Sequence, residues 1–409
     1  MLKRIMIIAG LAGALCAETN LVIGGKATAC ADAVRTPGID IIRVTLAADA
    51  IIPVGKYTIP FSSQKPLLLY PSLSVRSATL VKDTTLVIGV YTVTFAAGSE
   101  IYFHENGSVD EGYPSAARDV TLAVGPYRML FAAAGAKEHY TLAFHANGIF
   151  KSGMLEKDAT LTVGKEKVGF HAGRRISFYE NGMPESGYCA KDMPIKTPAG
   201  TSIVKADTLI TFHSNGMLRT GFLLKNTLMP VGKRSISFSA FDPKKQSYIS
   251  FHTNGALESG FLSAETIFTV GADTFTLAPA MAVFHADGTP VWGTIAKRFA
   301  YEKTLNESTR VTMVLEPGER LYVYHPSGTI NRCYGAGTNG LLKENIPFTV
   351  AGKELLLYRA TRLEQVNDAA VLWNITPAED ILFGNDIIIK RGETMTYRML
   401  EAILGKQKQ

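Results

Sequence analysis

One short phrase recurs along the chain, and this recurrence constrains the fold more than any other feature. Its clearest copy is Ile-Ser-Phe-His-Thr-Asn-Gly-Ala-Leu-Glu-Ser-Gly-Phe-Leu, residues 249–262. Self-similarity at a period of 33 to 41 residues is typical of repeat architectures, in which each unit needs its neighbours to bury its apolar face. The eight copies centre on Leu73, Gly107, Gly148, Gly182, Gly216, Gly255, Gly288 and Gly328.

Each repeat carries two hairpin signals. The first is a Thr/Ile-rich segment ending in Val-Gly or Ile-Gly, as at Val54-Gly55 and Ile88-Gly89, followed by a second apolar segment. The second signal is Asn-Gly after an alternating strand such as Ile101–Phe103. Asn-Gly predicts a type I′ turn, because both of its central residues need positive φ. Four short strands per repeat, with no helical periodicity between them, predict an all-β protein.

The predicted fold is a set of about eight tandem β-hairpin repeats that form an elongated, open, antiparallel array. A closed ring of seven or eight propeller-like blades is the alternative, since a blade also contains four strands. Uneven repeat spacing and fading ends favour the open array. We expect a signal peptide over 1–17, an N-terminal cap or degenerate repeat over 18–50, the array over 51–335, and a C-terminal degenerate repeat and cap over 336–409. Residues 395–404 have the spacing of a short terminal helix.

The first residues predict export. Lys3 and Arg4 precede the apolar run Ile5–Leu15, which is typical of a signal peptide and too short to span a bilayer. The expected location is periplasmic, outer-membrane-associated or extracellular. Cys16 leaves lipidation open, although Leu15 directly before it departs from the small residue of the usual bacterial lipobox.

Composition excludes several classes of function. A formal net charge of +6 over 409 residues, without a Lys/Arg cluster, argues against a nucleic-acid partner. Cys30, Cys189 and Cys333 form no CxxC or zinc pattern, so we interpret them as small apolar residues. The chain has no Gly-rich phosphate loop, and we predict neither a cofactor nor a resident metal ion.

The residue three places before the turn glycine forms what we call the histidine column. The residue just before it is Leu, Phe or Tyr and shares its strand face with other apolar residues, so it belongs to the core face. The column then lies on the opposite, more polar face. Its members are Tyr70, His104, His145, Tyr179, His213, His252, His285 and His325.

The column is a candidate binding surface with three possible roles. The rings could pack across strands and cap a nearby backbone group, bind a ligand along the face, or hold a metal ion. Sharing of a metal requires rings about one strand spacing apart, roughly 4.8 Å, as in a β-solenoid. If each repeat instead lays four antiparallel strands side by side, the rings lie about 19 Å apart. The Asn-Gly hairpins favour the wider spacing, and thus the structural role.

The phrase at Phe178–Tyr188 resembles the MORN type of repeat, and most closely its bacterial antitoxin-like variants. The resemblance covers about 14 residues of each repeat, between about residues 67 and 335. It implies stacked β-hairpins in an extended antiparallel sheet, used for scaffolding, membrane-surface association or protein binding. The longer period, the additional Val-Gly strand pair and the histidine column depart from that family, and no catalytic residue carries over from it.

These observations predict a non-enzymatic, exported scaffold of the cell envelope that binds a protein or glycan along its side, with possible peripheral membrane association. No catalytic residue is predicted, because no acid/base pair stands out among the carboxylates near the turns. One alternative is an enzyme acting on cell-wall polysaccharide. The other is divalent-metal binding by the histidine column.

Overall fold

The computed structural model describes residues 15–35, 40–115, 119–133, 140–197, 200–271, 273–304, 310–323, 330–334, 346–350, 353–357, 362–365, 373–383, 386–396 and 399–400. The regular secondary structure of the described residues is β-strand, apart from two helical residues at 399–400. Up to residue 212 the strands are β1 Leu15–Ile23, β2 Lys26–Arg35, β3 Ile42–Leu46, β4 Ala50–Val54, β5 Tyr57–Phe61, β6 Leu67–Leu69, β7 Val75–Thr79, β8 Thr84–Ile88, β9 Tyr91–Phe95, β10 Glu100–Phe103, β11 Val109–Gly112, β12 Val120–Val124, β13 Tyr127–Phe131, β14 Leu142–Phe144, β15 Phe150–Met154, β16 Ala159–Val163, β17 Glu166–Phe170, β18 Arg175–Phe178, β19 Pro184–Tyr188, β20 Met193–Thr197, β21 Gly200–Val204 and β22 Leu209–Phe212.

The remaining strands continue the same alternation of hairpins. They are β23 Leu218–Gly221, β24 Thr227–Val231, β25 Arg234–Phe238, β26 Ile249–Phe251, β27 Leu257–Phe261, β28 Thr266–Val270, β29 Asp273–Leu277, β30 Met281–Phe284, β31 Pro290–Thr294, β32 Phe299–Thr304, β33 Arg310–Leu315, β34 Arg320–Val323, β35 Ile330–Tyr334, β36 Ile346–Val350, β37 Lys353–Leu357, β38 Arg362–Gln365, β39 Trp373–Thr376, β40 Ile381–Phe383, β41 Asp386–Ile389 and β42 Met395–Thr396.

The chain divides into two compact units, residues 1–193 with 205–217, and residues 194–204 with 218–409. In the first unit the main sheet runs β1-β2-β3-β6-β7-β10-β11-β14-β15-β18-β19-β22 in antiparallel pairs. In the second it runs β23-β26-β27-β30-β31-β34-β35. Within the described strands of each unit, the first and last sheet strands do not pair with each other. The open antiparallel hairpin array is therefore confirmed, and the closed ring is not observed.

Only two of the four strands in each repeat enter this sheet. The strand–turn–strand elements that contain the repeated phrase, here called signature hairpins, lie side by side in it. The Val-Gly segments instead form separate two-stranded hairpins, here called glycine-tip hairpins, such as β4–β5 and β8–β9. The expectation of four strands side by side is wrong. A second apolar hairpin can bury one face by packing on the sheet without joining its hydrogen-bond ladder.

The apolar core lies on the face of the sheet that the glycine-tip hairpins cover. The residues four before the turn glycine are all at most 3% exposed among those described, which confirms the predicted core face. Where side-chain burial is described along both strands, the glycine-tip hairpins bury alternate residues, as in Ile52, Val54, Ile59 and Phe61 of β4–β5. The core column consists of Leu69, Phe103, Phe144, Phe178, Phe212, Phe251 and Phe284.

The tips of the glycine-tip hairpins contact the turns of signature hairpins. Val54 pairs with Tyr57, which leaves a two-residue loop in which Gly55 has a φ of +54°. A positive φ at the first loop residue alone fits a type II′ turn, for which glycine is preferred. A Cβ added at Gly107 would lie 2.5 Å from the Gly55 amide nitrogen, so only glycine allows the two turns to approach this closely.

An acceptor side chain closes the base of many glycine-tip hairpins. Asp83 Oδ1 accepts a hydrogen bond from the Ala97 amide at 2.8 Å, and Asn226 Oδ1 accepts one from Ala240 at 2.8 Å. Hydrogen bonds from Ser115 and Ala97 lower the pKa of Asp83. In the bonds to Asp83 Oδ1 and Asn226 Oδ1 the donor amide lies 14 residues after the acceptor. The equivalent bond is made by Asp49, Asp119, Asp158 and Asp192.

The signature turns differ from the predicted type I′ turn. The Gly107 amide donates to the His104 carbonyl at 2.8 Å, and the His104 amide donates to the Ser108 carbonyl at 2.9 Å. Only Gly107 in this turn has a positive φ, +81°, and the strand register shifts between Tyr102 and Phe103. This is a three-residue loop of a type I turn followed by a left-handed glycine. Asn106 accepts the Ser108 amide at 2.9 Å, which favours the type I turn.

The chain ends add strands beyond the repeats. Strand β1 begins at Leu15, inside the predicted signal segment, and pairs with β2. Met395 and Thr396, where the predicted terminal helix would start, instead pair with β39 as β42. Residues 399 and 400 are helical, and positions 397–398 and 401–404 lie outside the described residues.

Candidate binding face

The histidine column lies on the sheet face opposite the phenylalanine core, at the turn end of each signature hairpin. His145 is partly exposed (16% of its side chain), whereas the adjacent Phe144 is fully buried. Successive members are separated by two strands of the sheet, a distance of about 10 Å. The predicted spacing of 19 Å between column members is wrong, because only two strands of each repeat, and not four, enter the main sheet. His325 lies outside the described residues.

Members of the column bind the backbone of the next repeat. His145 Nε2 lies 2.9 Å from the carbonyl oxygen of Phe178, the core residue of the following signature hairpin. Because a carbonyl can only accept, Nε2 carries the proton and donates. A tyrosine hydroxyl makes the same bond where tyrosine replaces histidine. The other bonds are Tyr70 Oη to Phe103 at 2.9 Å, His104 Nε2 to Phe144 at 3.0 Å, Tyr179 Oη to Phe212 at 2.7 Å and His252 Nε2 to Phe284 at 3.0 Å.

His213 and His285 occupy the same place on their turns. The His213 amide donates to the Met217 carbonyl, and the His285 amide donates to the Thr289 carbonyl, both at 2.8 Å. The turn asparagines add contacts between repeats, since Asn181 Nδ2 donates to the Ser214 carbonyl at 3.0 Å. Within each unit, the column and the turns therefore connect neighbouring repeats through main-chain acceptors.

This arrangement limits the chemistry available to the rings. A histidine whose Nε2–H donates to a carbonyl can offer only Nδ1 as a base or metal ligand. At His145, Nδ1 faces Glu180, with 3.8 Å between the nitrogen and Oε1. Within the described ranges, no group of three or more His, Cys, Asp or Glu residues is placed to hold a metal ion.

Two of the cysteines are part of the core. Cys30 and Cys189 are both free and fully buried. Burial, together with the nearby charge of Asp192, raises the pKa of Cys189 to about 12, so its thiol stays protonated and unreactive at neutral pH. Cys333 lies in β35, but its side chain is outside the described part of the structure.

Substitutions of His145 can distinguish the contribution of its side-chain hydrogen bond to stability from the contribution of ring packing. We expect His145→Phe to lower the free energy of unfolding by roughly 1–2 kcal/mol, because the Phe178 carbonyl loses its side-chain donor. His145→Tyr should cost much less, since Tyr70 and Tyr179 make this bond in other repeats. Urea denaturation of the two variants measures the difference. Equal destabilisation by Phe and Tyr would mean that ring shape, and not the hydrogen bond, matters here.

No helix in the described part of the chain has the length and hydropathy needed to cross a bilayer. No protein-family model matches the chain, and no curated protein matches it.

Proposed function

We propose that this chain is a non-enzymatic, exported scaffold of a bacterial cell envelope, which binds an extended protein or glycan partner along the outward face of its sheet. The outward face is the face that carries the histidine column. The observation that carries the proposal is the bonding of the column to the next repeat. Rings used in this way stabilise a long, regular surface and are poorly suited to catalysis.

Two features of the sequence support the location and the role. The basic residues Lys3 and Arg4 and the apolar run Ile5–Leu15 favour export. The resemblance of the signature hairpin to MORN repeats favours a scaffolding or binding role over an enzymatic one. The same resemblance implies peripheral membrane association as an alternative mode of binding.

Site-directed photo-crosslinking in the native host tests the proposal. A photoreactive residue replaces Thr211, which is half-buried on the outward face, and the matched control replaces Thr92 on the exposed side of β9. We expect a crosslinked species of higher mass from position 211 only, in the envelope fraction, with residues 1–17 absent from the protein. Recovery of the full-length chain in the cytoplasm, or equal crosslinking at both positions, would contradict the proposal.

A further inference from the structure

Beyond the histidine column, the outward face of the first unit carries a second set of polar and aromatic side chains. Strand pairing places Tyr102 opposite Glu111, and further pairs continue this row to Ser177 and Ser186. A parallel row lies two residues further from the turns and includes Glu100, Thr141, Arg175 and Tyr188. We call Glu100, Tyr102, Glu111, Thr141, Arg175 and Tyr188 the polar strip.

One end of the polar strip is fixed by a carboxylate between two hydroxyl groups. Glu100 Oε2 accepts a hydrogen bond from the Tyr102 hydroxyl at 2.8 Å, and Oε1 accepts one from Ser77 at 2.8 Å. Burial and this carboxylate raise the pKa of Tyr102 to about 12. The phenol thus keeps its proton and a defined orientation at neutral pH.

The centre of the polar strip is a second network. Thr141 donates to Glu111, and Arg175 Nη2 lies 3.8 Å from Glu111 Oε1. The guanidinium also donates to Ser152 Oγ at 2.7 Å. Solvent still reaches this network, because the side chains of Arg175 and Glu111 are 45% and 36% exposed. Prior fixation of such groups reduces the entropy lost when a ligand binds.

The composition of the polar strip favours an uncharged, hydroxyl-rich ligand. The carboxylates of Glu100 and Glu111 are balanced by Arg175 and by Arg174, whose guanidinium stacks over the Tyr188 ring at 5.0 Å. A strongly charged polymer would gain little from such a balanced surface. Partly exposed phenol rings offer apolar contact to the C–H face of a sugar ring, and carboxylate and guanidinium groups offer hydrogen bonds to the hydroxyl groups at its edge.

The dimensions favour a chain over a single sugar. From Tyr102 on β10 to Tyr188 on β19 the polar strip crosses five strand spacings, about 24 Å. Each spacing is close to the length of one residue in an extended β-linked polysaccharide. We propose that the polar strip binds an unbranched, β-linked, uncharged polysaccharide running across the strands. This inference rests on the proposed scaffold function and names its partner as a glycan.

Calorimetric titration of the full chain with chitohexaose and cellohexaose tests the assignment. We expect binding of at least one hexasaccharide, weakened tenfold or more by Tyr102→Ala and by Tyr188→Ala. Tyr57→Ala is the matched control, because Tyr57 lies on a glycine-tip hairpin, where its hydroxyl donates to the Val87 carbonyl. If an alanine variant fails to fold by circular dichroism, Glu111→Gln provides the same comparison without loss of volume.

The outcomes separate the two proposals. Absence of binding of both hexasaccharides to the wild-type chain overturns the glycan assignment, while a protein crosslinked at position 211 would leave the scaffold function intact. If a hexasaccharide binds but the substitutions in the polar strip do not weaken binding, the glycan binds elsewhere on the protein. The same conclusion follows if Tyr57→Ala weakens binding as much as they do, and either result contradicts the assignment of the polar strip as the binding site.

Discussion

Phe150→Ala is expected to lower the free energy of unfolding by about 4 kcal/mol, the largest effect of any single change considered. Phe150 is completely buried. Its ring centroid lies 4.6 Å from that of Phe131, 5.7 Å from Phe144 and 5.8 Å from Phe178. These rings come from one glycine-tip hairpin and from two signature hairpins. Removal of Phe150 therefore opens a cavity where the two layers of the fold meet.

Phe150→Leu is the matched control, since leucine occupies the equivalent position at Leu218 and Leu257, where it is also buried. We expect it to cost about 1 kcal/mol, because the cavity is smaller and neighbouring rings can relax into it. Urea denaturation followed by circular dichroism measures both variants. Similar losses for Ala and Leu would mean that the aromatic contacts, and not the filled volume, stabilise this site.

Gly187→Ala should cost about 2–3 kcal/mol through overpacking. A Cβ at Gly187 would lie 2.4 Å from Phe170 Cδ1, far inside van der Waals contact. The equivalent glycines Gly112 and Gly260 also have a phenylalanine ring atom nearest to an added Cβ, at 2.6 Å in both cases. At the equivalent Gly221 the nearest atom to an added Cβ is Val204 Cγ2, at 3.3 Å, so Gly221→Ala should be much milder.

A double-mutant cycle isolates this contact. Phe170→Val copies the residue at position 204 and makes room for the added methyl group, so Gly187→Ala should cost less in its presence than alone. Thermal and urea unfolding of the wild type, both single variants and the double variant give the coupling energy. A coupling energy of zero would show that the glycine serves a backbone requirement instead.

The repeats and the inward face of the signature strands could be predicted from the sequence. Alternation at positions such as Ile176 and Phe178 identifies a buried face directly, and both residues are fully buried. The second layer could not be predicted in this way. Alternation shows that one face is buried but not what covers it, and exposed apolar residues such as Ile51 (53%), Leu228 (66%) and Ile267 (62%) obscure the polar face of the glycine-tip hairpins.

The candidate site was predicted only in part. A backbone-capping role for the histidine column follows from its place beside a turn, but the acceptor lies 32 to 40 residues away. Which carbonyl accepts the bond depends on the register between neighbouring hairpins, and the repeat pattern does not reveal that register. The polar strip has no clear sequence signal. Glu100 and Arg175 occupy the same position, seven residues before their turn glycines, but carry opposite charges, and Glu111 lies four residues after its turn glycine. These side chains meet only through strand pairing.

The bond from His145 to the Phe178 carbonyl has an evolutionary consequence. Every residue possesses a carbonyl, so the recipient repeat needs no complementary side chain in order to be recognised by the one before it. Copies can therefore diverge, duplicate or change order without the coordinated substitutions that side-chain pairing would demand. A chain of this kind can lengthen or shorten by whole modules while its outer surface adapts independently.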